Sequence, residues 1–367
     1  MENSFQIPFY AKVALISIGG LALGLIMYLG QHIIVPVLYA TVLAILLNPL
    51  VNYLLGKKVN KILSISIAVV FTILVLLIAI YIVSAQITLF TETYPQLKAK
   101  FLTTSAQLIH WVSEKFNIRH SVINAWIKDT ENEAIGNFDI GEKLTEVVRM
   151  LVIGTLLPVY IFMILYYKPL LLEFIRKLFR SEHHIAVVEV LANSKKIIQS
   201  YLVGLFFEMV IIAIMNSAGL LLIGIDYAII LGITGAILNI IPYLGGIAAI
   251  ALPMLIAFIT KDSLFYPLMV FLVYIIIQFI DNHYIIPKIV ASRVKLNALI
   301  SIIAVLVGGA FWGIPGMFLS IPLTAIIKVI FDHIEPLKPW GFLLGNIVPT
   351  NSRFSLIKKS KVLIHLQ

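Results

Sequence analysis

Two acidic side chains in otherwise apolar stretches are the residues of this chain best suited to chemistry. Glu208 lies in GLFFEM, and Asp281 lies in QFIDNH. Because a single charge inside lipid costs at least about 2.5 kcal/mol, such residues usually face a cavity or a partner. One interpretation is that both carboxylates bind a proton or a cation while a transport site alternates in exposure. The alternative is a structural pair that is satisfied by Asn216, Gln278 or Asn282 and serves helix packing.

Two long apolar segments in the C-terminal half are each broken near the middle. They run from Tyr227 to Ile259 and from Asn297 to Ile330. Since roughly 20 helical residues cross a membrane, each segment is too long for one crossing and too short for two. The breaks contain Asn239, Pro242, Gly245, Gly313, Pro315 and Gly316. These interruptions predict two re-entrant helical hairpins, and the alternative is that the prolines merely kink two long tilted helices.

The tips of such hairpins have backbone groups that need polar partners. Where a helix breaks inside lipid, its unpaired N–H and C=O groups are satisfied only by a polar cavity or a bound solute. Half-helices starting near Gly245 and Gly316 would present positive dipole ends, and Asn239 adds side-chain donors and an acceptor. The alternative is that the glycines only allow close helix packing. The predicted solute or ion pathway comprises Glu208, Asn239, Pro242, Gly245, Gln278, Asp281, Asn282, Gly313, Pro315 and Gly316.

The composition is typical of a polytopic membrane protein. Of 367 residues, 60% are hydrophobic and 12% are charged, which lies outside the range of soluble domains. The net charge of +9 comes largely from Lys and Arg in short loops between apolar spans, a placement that indicates topology rather than nucleic-acid binding. Six spans are predicted beside the two broken segments, at residues 13–29, 33–55, 62–90, 147–167, 201–223 and 264–286. The expected fold is all-α with about eight membrane segments.

The distribution of Lys and Arg predicts the orientation. Lys57, Lys58 and Lys61 follow the second span, which places the N-terminus and that loop in the cytoplasm. If each broken segment enters and leaves by one face, the C-terminal tail is also cytoplasmic and the two hairpin units are related by inversion. The predicted regions are 1–90, a three-helix membrane region; 91–146, an external amphipathic insert; 147–200, a fourth span and cytoplasmic helix; 201–335, the transport core; and 336–367, the tail.

Other kinds of chemistry lack a sequence signature. The chain has no cysteine, which excludes disulfides, thiolate nucleophiles and zinc–thiolate sites. It also has no phosphate-binding GxxxxGK[ST] loop, no nucleophile elbow and no HExxH motif. His183 and His184 beside Glu182 are interpreted as a solvated face rather than as metal ligands. We therefore expect no enzyme activity and no cofactor.

Several motifs resemble those of the autoinducer-2 exporter family, also called the PerM-like permeases. The motifs are LAILLNPL at 43–50, QSYLVG at 199–204, LGITGAILNIIPYLG at 231–245, PKIV at 287–290 and VGGAFWGIPGMFLSIPL at 307–323. The resemblance covers nearly the whole chain except the external insert. The Asn-x-x-Pro-Tyr and Gly-Ile-Pro-Gly motifs, in this order, carry most of its specificity.

This resemblance implies a bacterial inner-membrane protein that forms homo-oligomers and exports a small solute. Some members are described as exporters of the quorum-sensing furanone autoinducer-2, and others as sodium or lithium/proton antiporters. We therefore expect a multi-pass secondary transporter that lies in the lipid bilayer, is coupled to ions or protons, and moves an autoinducer-2-like signal. An antiporter is the alternative. A non-transporting scaffold that binds partners through the insert and residues 168–200 is the alternative from another class.

Overall fold

The computed structural model describes residues 8–116, 156–241, 244–291 and 294–347, which are almost entirely helical. The helices are α1 Phe9–Leu29, α2 Gln31–Gly56, α3 Lys61–Phe116, α4 Leu156–Tyr166, α5 Lys168–Leu178, α6 His184–Ile223, α7 Ala228–Asn239, α8 Leu244–Thr260, α9 Phe265–Ile280, α10 Ala298–His333 and α11 Lys338–Leu344. Two π-helical turns, Asp281–Ile285 and Pro287–Ala291, continue α9.

The helix lengths fit an all-α membrane protein. By length and composition alone, six helices within the described residues could cross a membrane, or seven if α4 and α5, bent by 63°, form one span. The six include α10, although its chain turns back at Gly313. The apolar helices α7 and α8 are each shorter than a span. The described chain is therefore an all-α polytopic membrane protein, as the composition predicted.

Helix α3 extends past the end of the predicted third span. It runs through position 90 and on to Phe116, because the apolar residues of the insert recur at helical spacing and no glycine interrupts them. Its far part reaches the end of α8, where Lys100 Nζ donates to the carbonyl oxygens of Ile259 at 3.2 Å and Lys261 at 2.6 Å. A cation at this position satisfies carbonyls that the last helical turn leaves unpaired. The rest of the predicted insert, residues 117–146, lies outside the described residues.

The first broken segment folds back on itself as the helix pair α7 and α8. Asp226, just before α7, forms an ion pair at 3.3 Å with Lys261, just after α8. Along the pair, a Cβ placed on Gly235 would lie 3.5 Å from Ala249 Cβ. Both ends of this segment therefore lie together, as a helical hairpin requires.

The second broken segment also folds back, within α10. Gly313 has φ 61° and ψ −144°, a conformation that essentially only glycine adopts. On either side of it, Gly308 and Gly316 approach so closely that a Cβ on Gly316 would overlap the Gly308 carbonyl. Eight residues of straight helix span about 12 Å, so this contact requires the chain to reverse at Gly313.

The base of this second hairpin is closed by α11. Asn297, at the start of α10, accepts a hydrogen bond from Ile300 N at 2.9 Å and caps the helix. Its side-chain amide donates to the carbonyls of Leu343 at 2.7 Å and Gly345 at 3.0 Å, just beyond α11. Because α11 packs against the end of α10, both ends of the second segment also lie together.

Helix α6 lies at the centre and positions the rest. Its buried residues Tyr201 and Leu205 share an apolar cluster with Val42 of α2 and Leu319 of α10. Further along, Ile212 packs with Ala236 of α7 and with Ile277 of α9. The two hairpins are thus held against the same helix.

Candidate functional site

A cavity of about 510 Å³ lies where α6, α7, α8, α9 and α10 meet. Six polar side chains line it, namely Tyr201, Glu208, Asn239, Gln278, Asn282 and Ser301. The remaining wall is mostly aliphatic and includes Leu205, Ile241 and Ile321. This combination of apolar wall and few polar groups, at this volume, is typical of small-molecule sites. We call it the polar cavity.

Asn239 connects the first hairpin to α9. Its Nδ2 donates to Asp281 Oδ2 at 3.0 Å, and its Oδ1 accepts from Gln278 Nε2 at 3.2 Å. Asn239 is the last residue of α7, so the break in the apolar segment brings an amide to this position. The side chain thus uses a donor and an acceptor to fix the hairpin against α9.

Both acidic side chains are buried. Glu208 is 5% exposed and Asp281 is fully buried, and the two are close enough to interact electrostatically. Asp281 Oδ1 has no hydrogen-bond partner among the described residues. Leaving such a group unpaired costs about 1–3 kcal/mol or more. The pair therefore favours a proton, a cation or a hydrogen-bond donor as an additional partner.

The helix changes type at Asp281, so that neighbouring side chains face different surroundings. The regular turns of α9 end at Ile280, and a π-helical turn begins at Asp281. Such turns are frequent at functional sites because they widen the helix and shift its side-chain register. Asp281 then points inward while His283 is exposed and stacks on Phe279, with ring centroids 4.2 Å apart. His283 therefore lies away from the polar cavity.

The predicted residues of the first hairpin lie at or beside the polar cavity. Gly245 is buried against the backbone of Leu238 and Asn239, where a Cβ would overlap main-chain atoms. The next residue, Gly246, lines the cavity against Gln278. Pro242 lies outside the described residues.

The tip of the second hairpin lies elsewhere. Trp312 Nε1 donates to Met27 O of α1 at 3.0 Å, and Tyr39 OH of α2 donates to Pro315 O at 3.1 Å. Gly316 packs on Gly308. Gly313, Pro315 and Gly316 are thus not among the residues that line the polar cavity. In the described chain Gly313 turns the hairpin, and Pro315 contacts α2 through the hydrogen bond from Tyr39.

Sequence reasoning missed several residues of this region. Tyr201, Ser301 and Ile321 line the polar cavity, although nothing in their local sequence marks them. The sequence suggests Asn216 only as a partner for the carboxylates. In the structure Asn216 is not among the residues that line the polar cavity. Its Nδ2 donates to the carbonyl oxygen of Gly232 at 3.5 Å. The sequence signal for Asn216 is an amide side chain inside an apolar span. Residue spacing does not identify the group with which that amide forms a hydrogen bond.

Comparison with known proteins identifies the family. The model of the AI-2E family transporters matches residues 18–335. The chain belongs to this family. It is 25% identical to the AI-2 transport protein TqsA of Escherichia coli over 305 residues, which cover 83% of this chain and 87% of TqsA. It is 26% identical to YueF of Bacillus subtilis, over 82% of this chain and 83% of YueF.

The family match confirms the resemblance seen in the motifs. It spans both hairpins and the helices that form the polar cavity, so the site lies in the part of the chain that defines an AI-2E transporter. Among the described residues, no group of three or more His, Asp or Glu side chains is placed to hold a metal ion.

Proposed function

We propose that this AI-2E family protein is a secondary transporter of the bacterial inner membrane that exports a small polar solute through the polar cavity. The observation that supports this most is a cavity of about 510 Å³ between the apolar helices, lined by amide, hydroxyl and carboxylate groups. A non-transporting scaffold would favour a dry, tightly packed centre instead. The proposed substrate is an autoinducer-2-like signal, because TqsA carries AI-2 transport in its name.

The proposed arrangement of the two hairpins is an inverted pair of re-entrant segments. It is supported by the closed base of each hairpin, at Asp226–Lys261 in the first and at Asn297–Gly345 in the second. Between the two bases, residues 265–291 form about 27 residues of continuous helix, which is enough to cross the membrane. A membrane-impermeant thiol reagent that reached single cysteines at 262 and 295 from the same side would contradict this arrangement.

Helix α5 supports a cytoplasmic position for its end of the protein. One face carries Leu171 and Phe174, the other carries basic residues, and none of its residues is buried. The hydrogen bond from Arg176 holds the pKa of Glu173 below its usual value, so this pair stays charged. Such a helix fits the lipid headgroup region, and positive residues favour the cytoplasmic leaflet.

We propose that both termini are cytoplasmic. We also propose that exposed apolar helix faces contact lipid and further copies of the chain.

Ion or proton coupling is proposed through Glu208 and Asp281. A charged carboxylate in the membrane interior needs a proton, a cation or another partner, so its occupancy can change as the polar cavity opens to one side and then the other. Uptake and release of that ion would then be linked to solute movement. This pair also favours a second candidate, a sodium or lithium/proton antiporter, in which the ions themselves are the cargo.

The experiment that tests the function is flux into vesicles containing the purified protein. Autoinducer-2 and sodium are measured in the same preparation, with an imposed pH gradient, against protein-free vesicles. We expect one of the two to move faster with protein and to respond to the gradient. Autoinducer-2 flux supports the exporter, sodium flux alone supports the antiporter, and equal rates with and without protein would contradict both.

A further inference from the structure

A second buried polar group lies between α6, α7 and α9, apart from the polar cavity. Asn216 is 2% exposed and Tyr274 is 1% exposed. A methyl group at Gly235 would lie 3.2 Å from both Asn216 Nδ2 and Tyr274 OH. Both side chains therefore border Gly235 of α7, where the absence of a Cβ leaves room beside them.

Both side chains keep an unused hydrogen-bonding atom. Among the described residues, Asn216 Oδ1 and Tyr274 OH have no hydrogen-bond partner. Each such buried atom costs about 1–3 kcal/mol when it remains unpaired. An apolar pair of the same size would avoid this cost, so packing alone gives no reason for an amide and a phenol here.

An apolar layer separates this group from the polar cavity. Ile212, Ala236 and Ile277 are all buried and pack on one another. Each belongs to one of the three helices that also carry the polar residues. Along α6 the order is Glu208, Ile212 and then Asn216, and α9 repeats it in reverse with Tyr274, Ile277 and Asp281.

A second apolar cluster lies on the other side. Leu220, Leu231 and Val270 pack in the same cluster as Tyr274 and are almost fully buried. Asn216 and Tyr274 are thus enclosed between two apolar layers. The polar cavity lies beyond the layer of Ile212, Ala236 and Ile277.

The chemistry of this group favours a neutral hydroxyl over an ion. The Tyr274 hydroxyl can donate, and Asn216 Oδ1 can accept. Glu208 lies eight residues from Asn216 along α6, and Asp281 lies seven residues from Tyr274, which is about 10–12 Å along a helix. A cation here would lack a nearby counter-charge and would be costly in the membrane interior, whereas one hydroxyl oxygen can satisfy both unused atoms.

We infer that Asn216 and Tyr274 form a second polar station on the solute path, which binds one hydroxyl oxygen of water or of a polyhydroxy solute as the layer of Ile212, Ala236 and Ile277 parts. This inference rests on the proposed transport function and adds to it a step between the polar cavity and the far side of the membrane. The station holds the hydroxyl where the apolar layers would otherwise leave it without a partner.

Transport kinetics test the station. We expect Tyr274→Phe to lower the maximal rate of autoinducer-2 flux about 5- to 10-fold, the effect of one lost hydrogen bond, with a less than twofold change in KM because the polar cavity is intact. Gly235→Ala keeps both polar side chains and fills the space between them, so a similar loss is expected. Tyr266→Phe, two turns away on α9, removes the same atom outside the station and is the matched control.

Radiolytic hydroxyl labelling of Tyr274 distinguishes the two sources of the oxygen. Labelling that autoinducer-2 leaves unchanged indicates water at the station, and labelling that autoinducer-2 reduces indicates the hydroxyl of the solute. Wild-type rates in both Tyr274→Phe and Gly235→Ala would overturn the station while leaving the transporter intact. Wild-type vesicles that move neither autoinducer-2 nor sodium would instead contradict the proposed function.

Discussion

Replacing Glu208 by Gln is expected to reduce gradient-driven flux to the level of protein-free vesicles. Glutamine keeps the size of the side chain and its ability to hydrogen-bond, but it cannot exchange a proton or balance a cation. Since Glu208 lines the polar cavity and interacts with Asp281, its replacement removes the group that we propose links solute movement to the ion gradient. The measurement is initial flux into vesicles at a fixed pH gradient, with protein content matched.

The same helix offers a matched control for this substitution. Glu189 lies on α6 near its start, is exposed and faces His333 at 3.7 Å. Glu189→Gln removes the same charge outside the polar cavity, so we expect wild-type flux. If Glu208→Gln also transported at the wild-type rate and kept its response to the pH gradient, Glu208 would have no part in the mechanism.

Gly316→Ala is expected to destabilise the second hairpin strongly. The added methyl group would overlap the Gly308 carbonyl and lie 2.8 Å from Trp312 Cβ. Extra atoms in a packed interior lower the stability of the fold by about 1–3 kcal/mol. Neighbouring backbone atoms can move aside less than flexible side chains can. The hairpin also docks on α1 through Trp312 and on α2 through Pro315, so a shift at its turn would loosen these contacts.

The midpoint of thermal unfolding in detergent, followed by circular dichroism, measures this loss. Gly20→Ala is the matched control, because a Cβ at Gly20 in α1 meets nothing within 4 Å and alanine favours a helix. We expect a lower midpoint for Gly316→Ala and an equal or higher one for Gly20→Ala. An unchanged midpoint for Gly316→Ala would contradict the close approach of the two glycines.

Much of the transport core could be predicted from residue types alone. A carboxylate in an apolar span and an amide at a helix break are costly in lipid, so Glu208, Asp281 and Asn239 stand out without a structure. The length of each broken segment also indicated a fold-back, because its two halves are too short to span separately. These are local signals, and the described chain places all three side chains at or next to one cavity.

The remaining parts depend on tertiary contacts that spacing does not encode. The break in the helix predicts Gly316 at a solute-binding tip, while a glycine supports close helix packing equally well. The structure shows Gly316 in close contact with Gly308. Ser301 reaches the polar cavity only because the second hairpin packs against α6. The sequence suggests Asn216 as a partner for the carboxylates, whereas in the structure it lies beside Gly235 together with Tyr274 of α9, a residue that spacing could not connect with it.

The most direct test of a solute path through the polar cavity is chemical blockade of that cavity. Because the chain has no cysteine, Ser301→Cys introduces a single thiol of nearly the original size on the cavity wall. Ser263→Cys, in the exposed connection between α8 and α9, is its control. We expect a methanethiosulfonate reagent to stop flux through Ser301→Cys vesicles, with saturating autoinducer-2 or sodium slowing the modification, and to leave Ser263→Cys active. Fully modified Ser301→Cys that still transports at the unmodified rate would contradict a solute path through this cavity.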